Sequence, residues 1–435
     1  MVRVAVATLG CKVNQYESAG IVQTLKESGF AHVPFNETAE VYIINTCTVT
    51  GKTDHQSRQL IRRAARNNPG AAILVTGCYA QTAPEEIVRI PEVALIAGNQ
   101  EKMDILPLIR EMARGERKTV LSDIGKVKEF STLEARSFPG RTRAFLKIQD
   151  GCDAFCSYCI VPYARGRSRS LPEKEVLARI TTLGKSGYRE VVLTGIHLGA
   201  YGRDLHPATD LLAILRYVEE KKPVARLRLS SLEPREITKD LLSFMSNSDV
   251  LCRHFHIPLQ SGDDGILQLM GRDYDRTFFK SLIREISAYL PDAAIGVDVM
   301  AGFPGEGEKE FAATMQLIEE LPIAYLHVFP YSLRKGTKAS LLPYQVSDAE
   351  RKERAQLLGR LGKEKREAFA GRFLGKELTV LLEEKRDRNT GWMQGFSDNY
   401  LPVLIRDGMF CHANHPVRVV IKAVLEGKLK GRIVT

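Results

Sequence analysis

Cys152-Asp153-Ala154-Phe155-Cys156-Ser157-Tyr158-Cys159 follows directly on the apolar run Phe145-Leu146-Lys147-Ile148, and sets three cysteines within eight residues as Cys-x3-Cys-x2-Cys. A structural zinc site takes four ligands, usually as two separated pairs. Three close thiolates with no fourth at hand suit a cubane iron–sulfur cluster, three irons held and one left open. An open iron binds and activates a small molecule, whereas a fully ligated cluster carries electrons. The bland alternative is a set of packed thiols, common in protein cores. Packed thiols have no reason to crowd into one polar, glycine-flanked turn.

Outward from this turn, the stretch 141–371 reads as six strand–helix repeats. The strands are expected at Phe145–Ile148, Val191–Thr194, Arg226–Leu229, Phe255–Pro258, Ile295–Val299 and Tyr325–Phe329, with helices such as Glu173–Ser186 and Phe278–Tyr289 between them. Six βα units predict an open, partial (βα)6 relative of the TIM barrel, with its chemistry at the carboxyl ends of the strands. Short polar and glycine motifs stand there: Thr194-Gly195-Ile196-His197, Ser230-Ser231, Gln260-Ser261-Gly262 and Gly302-Phe303-Pro304-Gly305. Such residues allow close approach of a ligand and hydrogen bonding to it. His197 reads as a satisfied structural histidine, and Cys252, beside Val250 and Leu251, as a packed thiol.

Residues 1–125 alternate strands and helices in a doubly wound α/β pattern with a parallel sheet. Cys11, Cys47 and Cys78 each fall just past an apolar strand, 36 and 31 residues apart, close to one βαβ unit. Ligands gather at the carboxyl ends of such strands, so the three should converge as a second thiolate triad. Asn14, Asn45 and Gln81 either cap helices or line that pocket, and Ser18 reads as a cap. The helix bearing Arg58, Arg62, Arg63 and Arg66 is either a solvated face or a phosphate contact. Residues 126–140 read as a polar linker. A basic connector helix is expected from Asp348 to about Arg372. Residues 372–435 turn to alternating β-rich runs broken at Asn389-Thr390-Gly391 and Asp407-Gly408, a small antiparallel barrel of OB type with 11 basic against 7 acidic residues. Arg165, Arg167 and Arg169 alternate after the first triad, which in an extended segment puts them on one face, suited to a phosphate backbone.

Charge agrees: 62 basic and 52 acidic residues leave the chain at +10, a modest sign of a polyanionic partner. No apolar run is long enough to span a bilayer, and Met1-Val2-Arg3-Val4-Ala5 begins as a strand rather than a signal peptide. Clustered free cysteines then place the expectation in a reducing cytoplasm.

The Cys-x3-Cys-x2-Cys spacing, with Tyr158 before the third cysteine, resembles the signature of the radical S-adenosylmethionine (SAM) superfamily. The resemblance implies a [4Fe-4S] cluster whose open iron chelates SAM, and reductive cleavage of SAM to a 5′-deoxyadenosyl radical. It also implies Thr194 and Gly195 beside the methionine amino group, Ser230 and Gln260 at ribose or carboxylate, and Tyr158 at adenine. The C-terminal barrel resembles a TRAM domain. Taken with the N-terminal triad, this order resembles the methylthiotransferase family. That likeness implies two [4Fe-4S] clusters, on Cys11, Cys47, Cys78 and on Cys152, Cys156, Cys159, and two SAM molecules per product. It further implies a tRNA anticodon stem-loop as substrate, an external electron donor such as a flavodoxin or ferredoxin, and a monomer. Leu193-Thr194-Gly195-Ile196-His197-Leu198-Gly199 resembles the branch acting on C2 of N6-threonylcarbamoyladenosine at tRNA position 37. Isopentenyladenosine, a ribosomal-protein aspartate, and a metal-containing RNA-binding protein without catalysis are the alternatives.

Overall fold

The computed structural model describes residues 1–112, 117–406 and 412–434. Six parallel strands open the chain: β1 (Arg3–Thr8), β2 (Ala31–Val33), β3 (Val41–Thr46), β4 (Ala72–Gly77), β5 (Val93–Ala97) and β6 (Lys118–Val120), in the order β2-β1-β3-β4-β5-β6. The central strand β3, Val-Tyr-Ile-Ile-Asn-Thr, is buried throughout, as a parallel sheet covered on both faces demands. Its Tyr42 and Ile44 face Ile61 and Ala64 of α2 (Gly51–Asn67), while Ile43 faces Ile21 and Leu25 of α1 (Lys12–Glu27). Strand order reverses between β1 and β3, so the switch-point crevice opens at the ends that carry Cys11 and Cys47.

The central unit has β7 (Arg143–Lys147), β10 (Glu190–Thr194) and β11 (Arg226–Leu229) as one parallel sheet, and β12 (His254–Gln260), β13 (Ala294–Ala301) and β14 (Tyr325–Pro330) as a second. The Leu227–Leu251 bridge joins them, giving six strands in sequence order around an open barrel. A short antiparallel pair, β8 (Gln149–Asp150) and β9 (Arg169–Ser170), brackets the cysteine turn. All six expected barrel strands are present, β7, β10 and β14 one residue longer than the sequence reading and β12 and β13 three residues longer.

The helix Asp348–Gly371, opened by a Ser347–Glu350 capping box, packs on β14 and leads to a closed five-stranded barrel. Its strands are β15 (Glu377–Arg386), β16 (Met393–Ser397), β17 (Pro402–Ile405), β18 (Pro416–Leu425) and β19 (Lys428–Ile433), and the parallel pairing of β17 with β19 closes it. This barrel plugs the amino-terminal end of the central strands. Arg226 donates to the carbonyls of Thr379 and Phe396, and Arg228 to those of Ser397 and Asp398. The expected turn at Asp407-Gly408 lies outside the described residues.

The stretch 126–140 is not a free polar spacer. Phe138 and Ala135 are buried in the core of the central unit, and the backbone N–H of Phe138 donates to the Tyr188 hydroxyl at 2.7 Å. Leu133 presses on Gly20 of α1, where a Cβ would come within 2.7 Å of it. Scattered apolar residues at 130, 133, 135 and 138 follow neither helical nor strand periodicity, which hid this strap from sequence reading.

Candidate active site

Gly151, at φ +73, lets the chain turn sharply after β8; a Cβ there would strike the Arg167 carbonyl at 1.9 Å. The Cys152 N–H then donates to the Gly166 carbonyl and Cys159 N–H to the Cys156 carbonyl, folding the three cysteines into one turn. Each of two thiols faces a cation. Cys152 Sγ lies 3.5 Å from His197 Nδ1, whose Nε2 pairs with Glu236 at 2.7 Å. Burial alone would depress His197, but Cys152 and Glu236 raise it to about 10. Cys156 Sγ accepts from Arg272 Nη1 at 3.3 Å, and the same guanidinium pairs with Glu233. Cys159 is pushed up to about 12, by burial first and then by Cys156 and Cys152. Three mutually repelling thiolates become stable together only around a bound cation, so the donor set fits a metal cluster. His197 is therefore no bystander, and Arg272 was missed altogether.

The expected SAM contacts surround this turn. Tyr158 and Gln260 line a cavity of about 210 Å³ with Cys159, Asp298 and Met300. Gln260, at φ +63, sits at an irregularity in the β12 ladder that turns its side chain towards that space. Ser230 is buried and its hydroxyl has no hydrogen-bond partner among the described residues, which fits a polar ligand group there. Thr194 is buried at the end of β10, and a side chain on Gly195 would lie 2.7 Å from Gln149 Oε1, which holds the His197 N–H. These two shape the loop that presents His197.

The second triad forms where the topology places it. Cys11 stands at the N-cap position of α1, Cys47 directly follows β3 and Cys78 opens the short helix α3 (Cys78–Thr82). Cys11 is exposed at the rim while Cys47 and Cys78 are buried. Gly10, at φ +92, lies so close that a Cβ would meet Cys47 Sγ at 2.7 Å. Burial, with Cys78 and Cys11 adding, lifts Cys47 to about 12. Asn14 holds the rim by donating to the carbonyls of Leu9 and Thr46, and Asn45 donates to Asn14 O and Ser18 Oγ. Gln81 donates to the Ser122 carbonyl and accepts from the Asn99 N–H. Ser18 is not a helix cap: it lies in the interior of α1, whose N-cap position is Cys11 itself.

Arg165 and Arg169 do not form the expected exposed face. Val161-Pro162 starts a short helix, Val161–Arg165, so Arg165 leaves the extended path and turns inward. Its guanidinium binds Glu17, Asp150 and Asn14 at 2.5–3.2 Å. Lys102 and Lys147 complete this buried seam on Glu17, and Lys147 also reaches Asp150 at 2.9 Å. Arg169 is buried on the Arg165 and Arg167 carbonyls. The seam joins α1 to the central unit and ends at the second triad: Asn99, held by Lys102, places Nδ2 3.8 Å from Cys78 Sγ. Four cations against two carboxylates leave an excess of positive charge there, which suits an anionic occupant. Arg167 alone is exposed, its guanidinium 4.8 Å above the Phe155 ring.

The space beside Cys159 reaches the segment that follows Cys47. The cavity beside Cys159 is closed on its far side by Val49 and Thr50, two and three residues past Cys47. Gly51 N–H donates to Ser332 Oγ at 2.9 Å and Asp54 pairs with Arg334, so the first turn of α2 is tied to the loop after β14. Deeper in the barrel, His256 and His327 flank Asp298, which their hydrogen bonds hold at about 2 against the upward push of burial. A larger cleft of about 550 Å³ lies between the C-terminal barrel and the loops before β11 and β12. It is at the wrong end of the parallel strands for chemistry, and no cysteine lines it.

Residues 3–98 match the uncharacterized protein family UPF0004, and residues 146–318 match the radical SAM superfamily. The chain is 41% identical to the threonylcarbamoyladenosine tRNA methylthiotransferase MtaB of Bacillus subtilis, over 93% of this chain and 91% of that protein. The enzyme of the same name from Aquifex aeolicus is 39% identical over 88% and 94%. A tRNA-2-methylthio-N(6)-dimethylallyladenosine synthase from Pelotomaculum thermopropionicum stands lower, at 32% over 91% and 90%. Among solved structures, the radical SAM methyltransferase TsrM of Kitasatospora setae, with cobalamin and a [4Fe-4S] cluster bound, superposes with a TM-score of 0.56 at 15% identity, over 78% of this chain and 77% of that one. At that identity the likeness is one of fold.

Proposed function

The chain belongs to the threonylcarbamoyladenosine tRNA methylthiotransferases, which are radical SAM enzymes, and from that premise we propose a division of labour between two [4Fe-4S] clusters with two SAM molecules consumed per product. The observation that carries it is the cavity with Cys159 on one wall and the segment after Cys47 on the other. Cys152, Cys156 and Cys159 would hold the cluster that binds SAM, and Cys11, Cys47 and Cys78 would hold a second one that supplies sulfur. When bound, these groups supply hydrogen abstraction at C2 of the adenine and the methylthio group that replaces that hydrogen.

The protein's own residues orient and exclude. Tyr158 and Gln260 line the SAM space, and the Ser230 hydroxyl stands ready to bond a ligand group. His197 and Arg272 place positive charge against Cys152 and Cys156, stabilising their thiolates. Val49, Thr50, Phe329 and Pro330 wall off water on the apolar side.

The substrate is the anticodon stem-loop of tRNA carrying the modified adenosine at position 37. Arg62, Arg63 and Arg66 on the open face of α2, Arg167 beside Phe155, and the C-terminal barrel, read as a TRAM domain, offer phosphate and stacking contacts. The units are 1–125, a strap at 126–140, 141–371 and 372–435. We place the enzyme in the cytoplasm as a monomer served by a flavodoxin or ferredoxin. No helix among the described residues is long and apolar enough to cross a membrane.

The test is anaerobic incubation of cluster-loaded protein with SAM, reductant and threonylcarbamoyl-modified tRNA, with digested nucleosides read by mass. A 2-methylthio product is expected. SAM cleavage without it removes the substrate assignment. A milder variant checks the second triad: Gly10→Ala strains a left-handed position and drives its methyl into Cys47, so the iron bound there is expected to fall at least several-fold while the first triad keeps its own. Iron analysis and the visible spectrum report both.

A further inference from the structure

Strand β14 walls two cavities in turn. Phe329 and Pro330 line the space beside Cys159, and two residues earlier His327 lines a second cavity of about 330 Å³, closed below by Phe396 and Tyr400 of the C-terminal barrel. Asp298 joins the two. It lines the space beside Cys159, its Oδ1 is 2.7 Å from His256 Nε2, and His327 Nδ1 stands 3.5 Å from the same oxygen. A carboxylate only accepts, so the ring proton of each histidine belongs on the nitrogen that faces it. That leaves His327 Nε2 as an acceptor on a half-exposed ring, and among the described residues nothing bonds to it.

The rest of the second cavity is aromatic and basic. Tyr325 sits over Gly296, where a Cβ would meet its ring at 2.0 Å, and its hydroxyl is tied to His254 Nε2 at 2.7 Å. Among the described residues no acid lines the cavity, but two cations do. Lys428 is paired with Asp387 at 2.5 Å. Arg366, on the helix Asp348–Gly371, has its guanidinium 5.9 Å from the Tyr325 ring and no acidic partner among the described residues. One fixed positive charge and one free acceptor thus share a wall with the space beside Cys159.

Substituents at C2 and at N6 of an adenine diverge, so a base with C2 beside the cysteines sends its N6 group away from them. From Phe329 to His327 the strand runs about 6.6 Å, the reach of a threonylcarbamoyl group. That group ends in a carboxylate and a hydroxyl, whereas the isopentenyl group is a hydrocarbon. We propose that the cavity of His327 and Arg366 is the subsite for the threonyl end of the N6 substituent, with Arg366 binding its carboxylate and His327 Nε2 accepting from its hydroxyl. A hydrocarbon entering there would leave both groups unmatched. The inference rests on the substrate assigned above and goes beyond it by naming what reads the threonyl group.

The experiment titrates cluster-loaded full-length protein, without reductant, with three anticodon stem-loop RNAs. One carries threonylcarbamoyladenosine, one its neutral carboxamide, and one the aminobutyryl analogue that lacks the hydroxyl. Wild type is expected to bind the acid about 10-fold more tightly than the amide, as one charge-assisted hydrogen bond gives, and several-fold more tightly than the analogue without hydroxyl. Arg366→Met brings the acid-to-amide ratio close to one and keeps the preference for the hydroxyl; Arg366→Lys restores most of the ratio. His327→Leu does the reverse. If Arg366→Met weakens acid and amide equally, the arginine meets the phosphate backbone and the proposal falls, as it does if wild type binds acid and amide alike. A hydroxyl preference that survives in His327→Leu overturns the role of that histidine. Should His327→Leu fail to fold, Arg366→Met decides alone, since its side chain is exposed. With reductant and SAM added, a wild type that methylthiolates none of the three RNAs removes the substrate assignment itself, a different failure from a flat ratio in an active enzyme.

Discussion

Cys47→Ala is expected to abolish methylthio transfer while 5′-deoxyadenosine still forms, and to lower bound iron from about eight to about four per chain. The reason is positional. Cys47 is, with Cys78, a buried member of the N-terminal triad, just past the central strand β3, and its thiol is packed against Gly10. With it gone, Cys11 and Cys78 are two ligands, too few to hold a cubane cluster. The other triad stands on β8, the turn to Cys159 and the contacts of His197 and Arg272, none of which touches Cys47. Cys152→Ala is expected to do the reverse, ending SAM cleavage and product together while the second triad keeps its iron. If Cys47→Ala still yields the methylthio nucleoside, the second triad is not the sulfur source.

Both triads were legible in the sequence because their signals are local. Cys152, Cys156 and Cys159 lie within one turn, and Cys11, Cys47 and Cys78 each follow an apolar strand, so topology alone brings them together. What surrounds them was not legible. Alternation at 165, 167 and 169 reads as an extended segment, which would expose Arg165 to a phosphate backbone. A one-and-a-half-turn helix ending at Gly166, with φ +74, rotates Arg165 away from that line. Its anionic partner Glu17 lies 148 residues earlier, on a helix of another unit, and nothing near Arg165 announces it. Arg272 on Cys156 is the same case, 116 residues from its partner. His197 has a signal, its place three residues past the end of β10, but a lone histidine after a strand is most often a satisfied one.

Arg165 and Arg167 separate structure from recognition two residues apart. Burial raises the Glu17 carboxyl, but Arg165, Lys102 and Lys147 outweigh it and hold it well below the carboxylate range; Asp150 is depressed likewise. Arg165→Met removes one of the two cations, Lys147 being the other, that both carboxylates share, and weakens the tie between α1 and the central unit. Breaking a buried pair from one side costs about 3–5 kcal/mol, so a large drop in denaturant midpoint is expected. The pH dependence has a definite sign. Carboxyls depressed in the folded state stabilise it fully above their unfolded values near 4, and that stability is lost as pH falls through the folded values. Without Arg165 those folded values rise, so acid unfolding begins at higher pH in the variant than in wild type. Arg167→Met, at an exposed pair with Asp153, is expected to leave the midpoint near wild type and instead to weaken tRNA binding, with the slope of log K on log salt reduced by about one. If Arg165→Met also left stability intact and weakened only tRNA binding, the buried seam would be no structural tie, and the arginine would have to reach the RNA after all.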